Sequence, residues 1–297
     1  MKSLFRFLCL FSLLILSAPA DGLDTARIEQ IIGLKGALNT NEGVFKVTLP
    51  RNDVKISVDG WTMPPFMGLA SWAAFTEQKT NDVMVMGDTA LFQDEVNPVM
   101  SVALDNGLSV TALHNHFFYD EPKVYFMHLS GMGEADKLAA AVRKMWDKVK
   151  EIRAANPQPG KTFGAAPMPA TNSIAGKTIE DLLGVKGQAS GGMYKVVIGR
   201  TTKMPCGCEM TKEMGVNTWA AFAGVDDNAL VDGDFAVLEE ELQPVLKSLR
   251  HDGINIVAIH SHMTQENPRI LFLHYWGRGN TADLAKALKT ALATQNK

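Results

Sequence analysis

The sequence predicts an α+β fold in two tandem homologous domains, each an antiparallel sheet with helices packed on one face. Three observations lead there. The first is an internal repeat. Ile28-Glu29-Gln30-Ile31-Ile32-Gly33-Leu34-Lys35-Gly36 recurs as Ile179-Glu180-Asp181-Leu182-Leu183-Gly184-Val185-Lys186-Gly187. Val44-Phe45-Lys46-Val47 recurs as Met193-Tyr194-Lys195-Val196, Trp72-Ala73-Ala74-Phe75 as Trp219-Ala220-Ala221-Phe222, and Gly87-Asp88 as Gly233-Asp234. Blocks recurring in one order mean two copies of a unit. The second is a switch in apolar periodicity within each copy, from helix to strand and back to helix. The third is a stretch between the copies, rich in Pro, Ala, Gly and Thr and without periodicity, which reads as a linker. The boundaries are residues 1–20 for a targeting segment, 24–150 for the first domain, 151–173 for the linker and 174–297 for the second domain.

The elements follow in order. Lys2 and Arg6 precede a short apolar run, Phe7 to Leu16, and Ala18-Pro19-Ala20 gives the small-x-small pattern of a signal peptide cleaved after Ala20. The run is short for a membrane span. The mature chain is therefore expected to be periplasmic or secreted, touching a membrane only through the signal peptide before cleavage. Each copy then opens with a short helix, Thr25 to Ile32 and Thr178 to Leu183. Strands are expected at Val44 to Leu49 and Ser71 to Phe75. A second helix, Asp94 to Asp105 or Glu239 to His251, stops at Gly107 or Gly253. Two strands follow, Ser109 to Phe117 with Val124 to Leu129, and Asn255 to Met263 with Ile270 to Tyr275. Pro122 and Pro268 lie in the turns between them. A last helix closes each copy, Glu134 to Val149 and Thr281 to Ala293.

Composition excludes some functions. The formal net charge is −3 and 46% of the residues are hydrophobic. That balance argues against a nucleic-acid partner, which calls for a basic stripe. It leaves a small-molecule or cell-envelope ligand.

Of the seven histidines, six form a repeated pattern: His114, His116 and His128, then His260, His262 and His274. Residues two apart on a strand share a face. Hairpins centred near Glu121 and Asn267 place His128 opposite His114 and His274 opposite His260, at roughly 5 Å between Cβ atoms. Three imidazoles so placed can hold a divalent metal and leave a coordination position open. Zinc is the expected ion and copper the alternative. The other reading is a pocket in which the imidazoles grip an anion. Glu121 and Glu266, in the turns beside the histidines, are the candidate general bases, with Asp120 nearby. Asp88 and Asp234 are expected in a turn or helix cap, or orienting a ligand histidine. Met204, Cys206, Cys208, Met210 and Met214 form a sulfur-rich stretch that would suit Cu(I) or simply pack, and a Cys206–Cys208 bridge is open to an exported protein. Trp72 and Trp219 are expected in the core.

These motifs carry a resemblance. Leu113-His114-Asn115-His116, Phe126-Met127-His128, Ile259-His260-Ser261-His262, Phe272-Leu273-His274-Tyr275-Trp276-Gly277, both Trp-Ala-Ala-Phe blocks and Met204-Pro205-Cys206-Gly207-Cys208 resemble the LppY/LpqO family. The likeness runs over nearly all of the mature chain. Members are exported or lipid-anchored bacterial proteins without a settled activity, so the resemblance implies export and duplication and adds no reaction. Cys9 lies inside the apolar run without small residues just before it, so it is expected to be a poor lipid acceptor and lipid anchoring is not carried over.

Overall fold

A computed structural model describes residues 22–78 and 82–295. The expected signal peptide and its cleavage point lie outside these residues. The first repeat comprises α1 (Thr25–Ile32), β1 (Gly36–Asn39), β2 (Val44–Pro50), β3 (Ser57–Val58), β4 (Trp61–Thr62), β5 (Ala70–Glu77), β6 (Val83–Phe92), α2 (Gln93–Asp105), β7 (Ser109–His114), β8 (Asp120–Glu121), β9 (Val124–Gly133) and α3 (Ala135–Ala155). The second comprises α4 (Gly176–Leu183), β10 (Gln188–Ser190), β11 (Met193–Gly199), β12 (Thr202–Lys203), β13 (Glu209–Met210), β14 (Asn217–Val225), β15 (Asn228–Leu238), α5 (Leu242–His251), β16 (Asn255–His260), β17 (Ile270–Gly279) and α6 (Thr281–Ala293).

The α+β class and the two repeats are as the sequence predicts. The central strands β6 and β15 were not foreseen, although Val83-Met84-Val85-Met86 and Phe235-Ala236-Val237-Leu238 are the apolar runs a buried strand shows. α3 continues to Ala155, into the expected linker. The remaining linker is pinned to the fold. Gly160 N–H donates to Asp94 (2.9 Å), the Ala166 carbonyl accepts from Arg278 (2.6 Å), and Asn172 Oδ1 accepts from Gly224 N–H (2.8 Å).

The repeats do not form separate sheets. Twelve strands make one antiparallel sheet in the order β1-β2-β5-β6-β9-β7-β16-β17-β15-β14-β11-β10. The two halves join edge to edge where Leu113 of β7 faces Ile259 of β16. The helices lie on one face, over a core that runs through both repeats and includes Ile28, Val99, Trp146, Ile179, Leu246 and Leu288. The opposite face is open except for two small apolar clusters. Ile56, Met63, Phe92 and Phe126 form one, and Val216, Ala236, Ile270 and Phe272 the other. Loop-borne strands cover them: β3, β4 and β8 in the first repeat, and β12 and β13 in the second.

The junction is symmetric in its chemistry. β7 has a bulge between Val110 and Ala112, and β16 has one between Ile256 and Ala258. A bulge leaves backbone groups outside the ladder, and buried groups need partners. Each repeat supplies them to the other. Asn97 of α2 accepts from Ile256 N–H (2.7 Å) and donates to its carbonyl (3.1 Å). Gln243 of α5 accepts from Val110 N–H (3.0 Å) and donates to its carbonyl (2.8 Å). Asn97→Ala should lower stability by about 1–3 kcal/mol, because it strands buried backbone groups, and Gln243→Ala should act alike. Urea denaturation reads both. No loss in either variant would remove the clamps from the account of the junction.

A second repeated device sits where β6 and β15 run into their helices. Arg51 pairs with buried Glu95 (2.7 Å), and Arg200 with buried Glu241 (2.9 Å for Nη2–Oε1). Burial alone would raise the Glu241 pKa. The hydrogen bonds from Arg200 and from Leu238 N–H (2.9 Å) outweigh it and hold the carboxyl below its usual range. A group whose folded pKa is depressed adds stability above its unfolded pKa, about 4.3 for Glu, and that stability is lost as pH falls through the lower folded value. Glu241→Gln should therefore be less stable than wild type at neutral pH, with the gap closing in acid. A gap independent of pH, in chemical denaturation across that range, would count against the assignment.

Candidate metal centre

The six histidines cluster on the open face of the sheet, near the junction. Trp72, Asp88 and His128 stand directly opposite one another on β5, β6 and β9. Trp219, Asp234 and His274 do the same on β14, β15 and β17. Side chains opposed in this way share one face.

The hairpin register differs from expectation. His128 faces Ala112 and His114 faces Phe126; His274 faces Ala258 and His260 faces Phe272. The shift is two residues, which preserves the face, so the histidines still converge. The strands also end sooner than predicted, at His114 and His260. His116 and His262 sit just past them, and each ring lies flat on a phenylalanine of the neighbouring strand. His116 stacks on Phe126 with centroids 3.3 Å apart, and His262 on Phe272 at 3.5 Å. Those phenylalanines belong to the two small clusters of the open face, which thereby fix the third histidine of each set.

The second set is the more tightly drawn. His260 Nε2 lies 3.2 Å from His262 Nε2, and Asp234 Oδ2 lies 3.3 Å from His262 Nε2 and 3.9 Å from His260 Nε2. Asp234, His260 and His274 offer ligand atoms all within 4.8 Å of one another. Backbone carbonyls fix two of the rings: His262 Nδ1 faces the Gly215 carbonyl and His274 Nδ1 that of Gly233, both at 3.3 Å. With the proton on Nδ1, Nε2 presents its lone pair. In the first set, the His114 ring lies 5.2 Å from that of His116 and 5.1 Å from that of His128.

Asp88 and Asp234 are mid-strand residues, not turn or cap residues as the sequence suggested. They are 6% and 2% exposed, and Oδ1 of each has no hydrogen-bond partner among the described residues. Burial pushes the Asp88 carboxyl above its usual range, opposed by His128 and His114. Burial lowers the pKa of His116, helped by His114 and His128. Burial also lowers that of His260, with Asp234 opposing and His274 and His262 assisting. Lowered imidazole pKa values favour the neutral, ligating form.

Other expected residues stand elsewhere. Glu121 is exposed on β8, paired with Ser57 of β3. Glu266 is buried and accepts from Ile270 N–H (3.3 Å). Asp120, its counterpart, accepts from Val124 N–H (2.7 Å) and Lys123 (3.0 Å). Both brace turns that contain the cis bonds Glu121–Pro122 and Asn267–Pro268. Trp72 and Trp219 are half-buried on the open face rather than in the core, and Lys46 and Lys195 each lie over one of the rings at 4.3 Å. Cys206 and Cys208 are joined as a disulfide, with Cα atoms 5.4 Å apart. Met210 packs against the small cluster of the second repeat, while Met214 is exposed.

The repeated glycine before each aspartate has a steric cause. A Cβ on Gly233 would meet the Tyr275 ring at 2.2 Å and the Trp219 carbonyl at 2.4 Å; on Gly87 it would meet the Trp72 carbonyl at 2.7 Å. The Tyr275 hydroxyl donates to the Trp219 carbonyl (2.9 Å), tying this crowded point together.

The chain belongs to the family described as Domain of Unknown Function (DUF1259). Its sequence model matches residues 26–148 and again residues 177–294, one match per repeat. No curated protein and no solved structure matches the chain.

Gly233→Ala should cost about 1–3 kcal/mol through overpacking. Gly87→Ala should cost less, since its closest contact is longer. Denaturant midpoints of the two variants test the order, and a neutral Gly233→Ala would refute the steric account.

Proposed function

We propose that this DUF1259 chain is an exported bacterial protein in which each repeat holds one divalent metal ion of zinc type on its three histidines and one aspartate. The export reading rests on the signal-like segment and on the resemblance to the LppY/LpqO family. The spacing of Asp234 Oδ2, His260 Nε2 and His262 Nε2, at 3.2 to 3.9 Å, carries the metal reading. Bonds of about 2.0–2.1 Å at tetrahedral angles set neighbouring ligand atoms about 3.3 Å apart. The buried carboxylates supply the negative charge that an ion would balance.

The reading favoured here is a metal-dependent hydrolase or lyase of the cell envelope. A cavity of about 520 Å³ opens directly onto Asp234 and His262, so a small molecule can reach the centre. The bound ion would supply Lewis acidity and an activated water. A second reading, a non-catalytic metal- or ligand-binding protein, draws on the placement of Glu121 and Glu266. Glu121 faces solvent on β8, and the Glu266 carboxylate is engaged by backbone, which leaves Asp88 and Asp234 as the carboxylates at the centres. For copper, the sulfur stretch is the relevant feature, and its two cysteines are bonded to each other.

Elemental analysis of the purified mature protein and calorimetry on the apo form test the proposal. The expected result is two ions per chain. His262→Ala or His274→Ala should weaken the second site by about a hundredfold or more and leave the first largely intact; His116→Ala should do the reverse. A wild type that binds no Zn, Cu, Ni, Fe or Mn at micromolar concentration near neutral pH would end the metal reading and leave an anion pocket in its place.

A further inference from the structure

The repeats share the cluster of histidines and aspartate but differ in what surrounds it. In the second repeat the cavity beside Asp234 and His262 is also lined by Lys186, Lys195, Lys212 and Trp219. The corresponding residues of the first repeat are Lys35, Lys46, Pro65 and Trp72, on matched elements. In particular, the 3₁₀ turn Lys212–Met214 stands where the first repeat has Pro65–Met67, each ending at a left-handed glycine, Gly215 or Gly68.

Three substitutions between the copies change the charges a ligand would meet. Pro65-Phe66 becomes Lys212-Glu213, which adds a cation and an anion to the cavity wall. Phe45 becomes Tyr194, which gives the neighbouring glutamate a new partner. In the first repeat Glu29 pairs with Lys35 at 2.6 Å. Both glutamates accept from the following glycine N–H, Gly36 or Gly187, but the matching Glu180 accepts from the Tyr194 hydroxyl where Glu29 has Lys35, and Lys186 makes no salt bridge among the described residues. Lys195 is held over Trp219 by a cation–π contact at 4.3 Å, so its position is set while its ammonium group stays open to solvent. Lys212 pairs with the exposed Glu213, which lines the same cavity, at 3.3 Å.

We propose that the second repeat binds a small ligand with two anionic groups, one received at the His262–Asp234 end and the other by Lys186, Lys195 and Lys212. The shared chemistry is that of two carboxylate or phosphate groups on one short molecule. The proposal rests on the metal reading at one end, because without an ion Asp234 repels the first anionic group. At the other end it rests on the lysines alone. The first repeat, with Lys35 paired to Glu29 and Pro65 in place of a lysine, does not take this ligand.

The test is calorimetric titration of the zinc-loaded mature chain with succinate and, separately, with 1,3-propanediol bisphosphate, a two-carboxylate and a two-phosphate probe. The expected result is one site per chain, weakened by salt. Lys212→Ala should lower affinity about tenfold, the loss of one charge-assisted contact, with zinc content unchanged. Tyr194→Phe should also lower it, by returning Glu180 to Lys186, although Tyr194 lies outside the cavity lining. Lys46→Ala should leave it unaltered. The preferred anion separates the carboxylate source from the phosphate source. Absence of binding at millimolar concentration, two equal sites per chain, or a Lys46→Ala effect as large as that of Lys195→Ala would overturn the proposal. If the chain takes up no metal, the proposed function fails separately. Titration of the metal-free chain then decides for the lysine end: weak binding abolished by Lys212→Ala sustains it, and binding indifferent to Lys212 ends it.

Discussion

The structure depends on the pairing of β7 with β16. Each is the innermost strand of its repeat and would otherwise present an open row of backbone donors and acceptors, the liability of any sheet edge. Pairing the two edges removes both at once and turns two six-stranded sheets into one. Bulges in both strands would leave buried amides unmatched there, and Asn97 and Gln243 reach across to match them. A packed helix pair and a shared core then follow, because α2 and α5 are the helices that carry those amides. The junction also fixes the relation of the two clusters. Leu113 and Ile259 face each other, so His114 and His260, one residue on, turn together to the open side of the sheet.

That open side explains how a buried carboxylate survives. An ionised carboxylate in an apolar setting is costly unless something balances it. Asp88 and Asp234 lie in the middle of central strands, with one oxygen of each unpartnered among the described residues. The histidines directly opposite them are the nearest source of compensation, and a cation held between them would complete it. The surrounding chain holds this arrangement in place. Gly87 and Gly233 let neighbouring strands and the Tyr275 ring approach closely. Phe126 and Phe272 act as plates for the third histidine, and backbone carbonyls orient His262 and His274. The histidines, aspartate, glycine and phenylalanine of the cluster are the same in both repeats, although Leu129 stands where the second repeat has Tyr275. The repeats diverge in the cavity wall, where Tyr194 and Lys212 replace Phe45 and Pro65.

Much of this was legible in the chain, for identifiable reasons. The duplication shows as repeated blocks, and the convergence of the histidines survives a wrong hairpin register because a shift by two keeps side chains on their face. A shift by one would have dispersed them. The tryptophans were misplaced because an aromatic in an alternating strand reads as core whichever face it occupies. Both in fact stand on the open face, each beneath a lysine. The aspartates were read as turn residues because a Gly-Asp pair commonly marks a turn. Here the glycine serves close strand packing, a reason visible only once Tyr275 and the Trp219 carbonyl are in place. Glu121 and Glu266, with Asp120 nearby, stood out by proximity in sequence; in the fold Glu121 is exposed on β8, and the carboxylates of Glu266 and Asp120 brace the turns around Pro268 and Pro122.

By itself, then, the sequence determined the class of the fold, the two copies and the membership of the histidine sets, since these depend on local periodicity and on repetition. The tertiary structure decided three things that no local pattern contains. It merged the copies into one sheet, because two exposed edges are more stable paired. It added Asp88 and Asp234 to the histidines, because strands far apart in the chain lie side by side. It set a cavity lined by Lys186, Lys195 and Lys212 beside the cluster of the second repeat, because those lysines stand on separate elements that only the fold brings together.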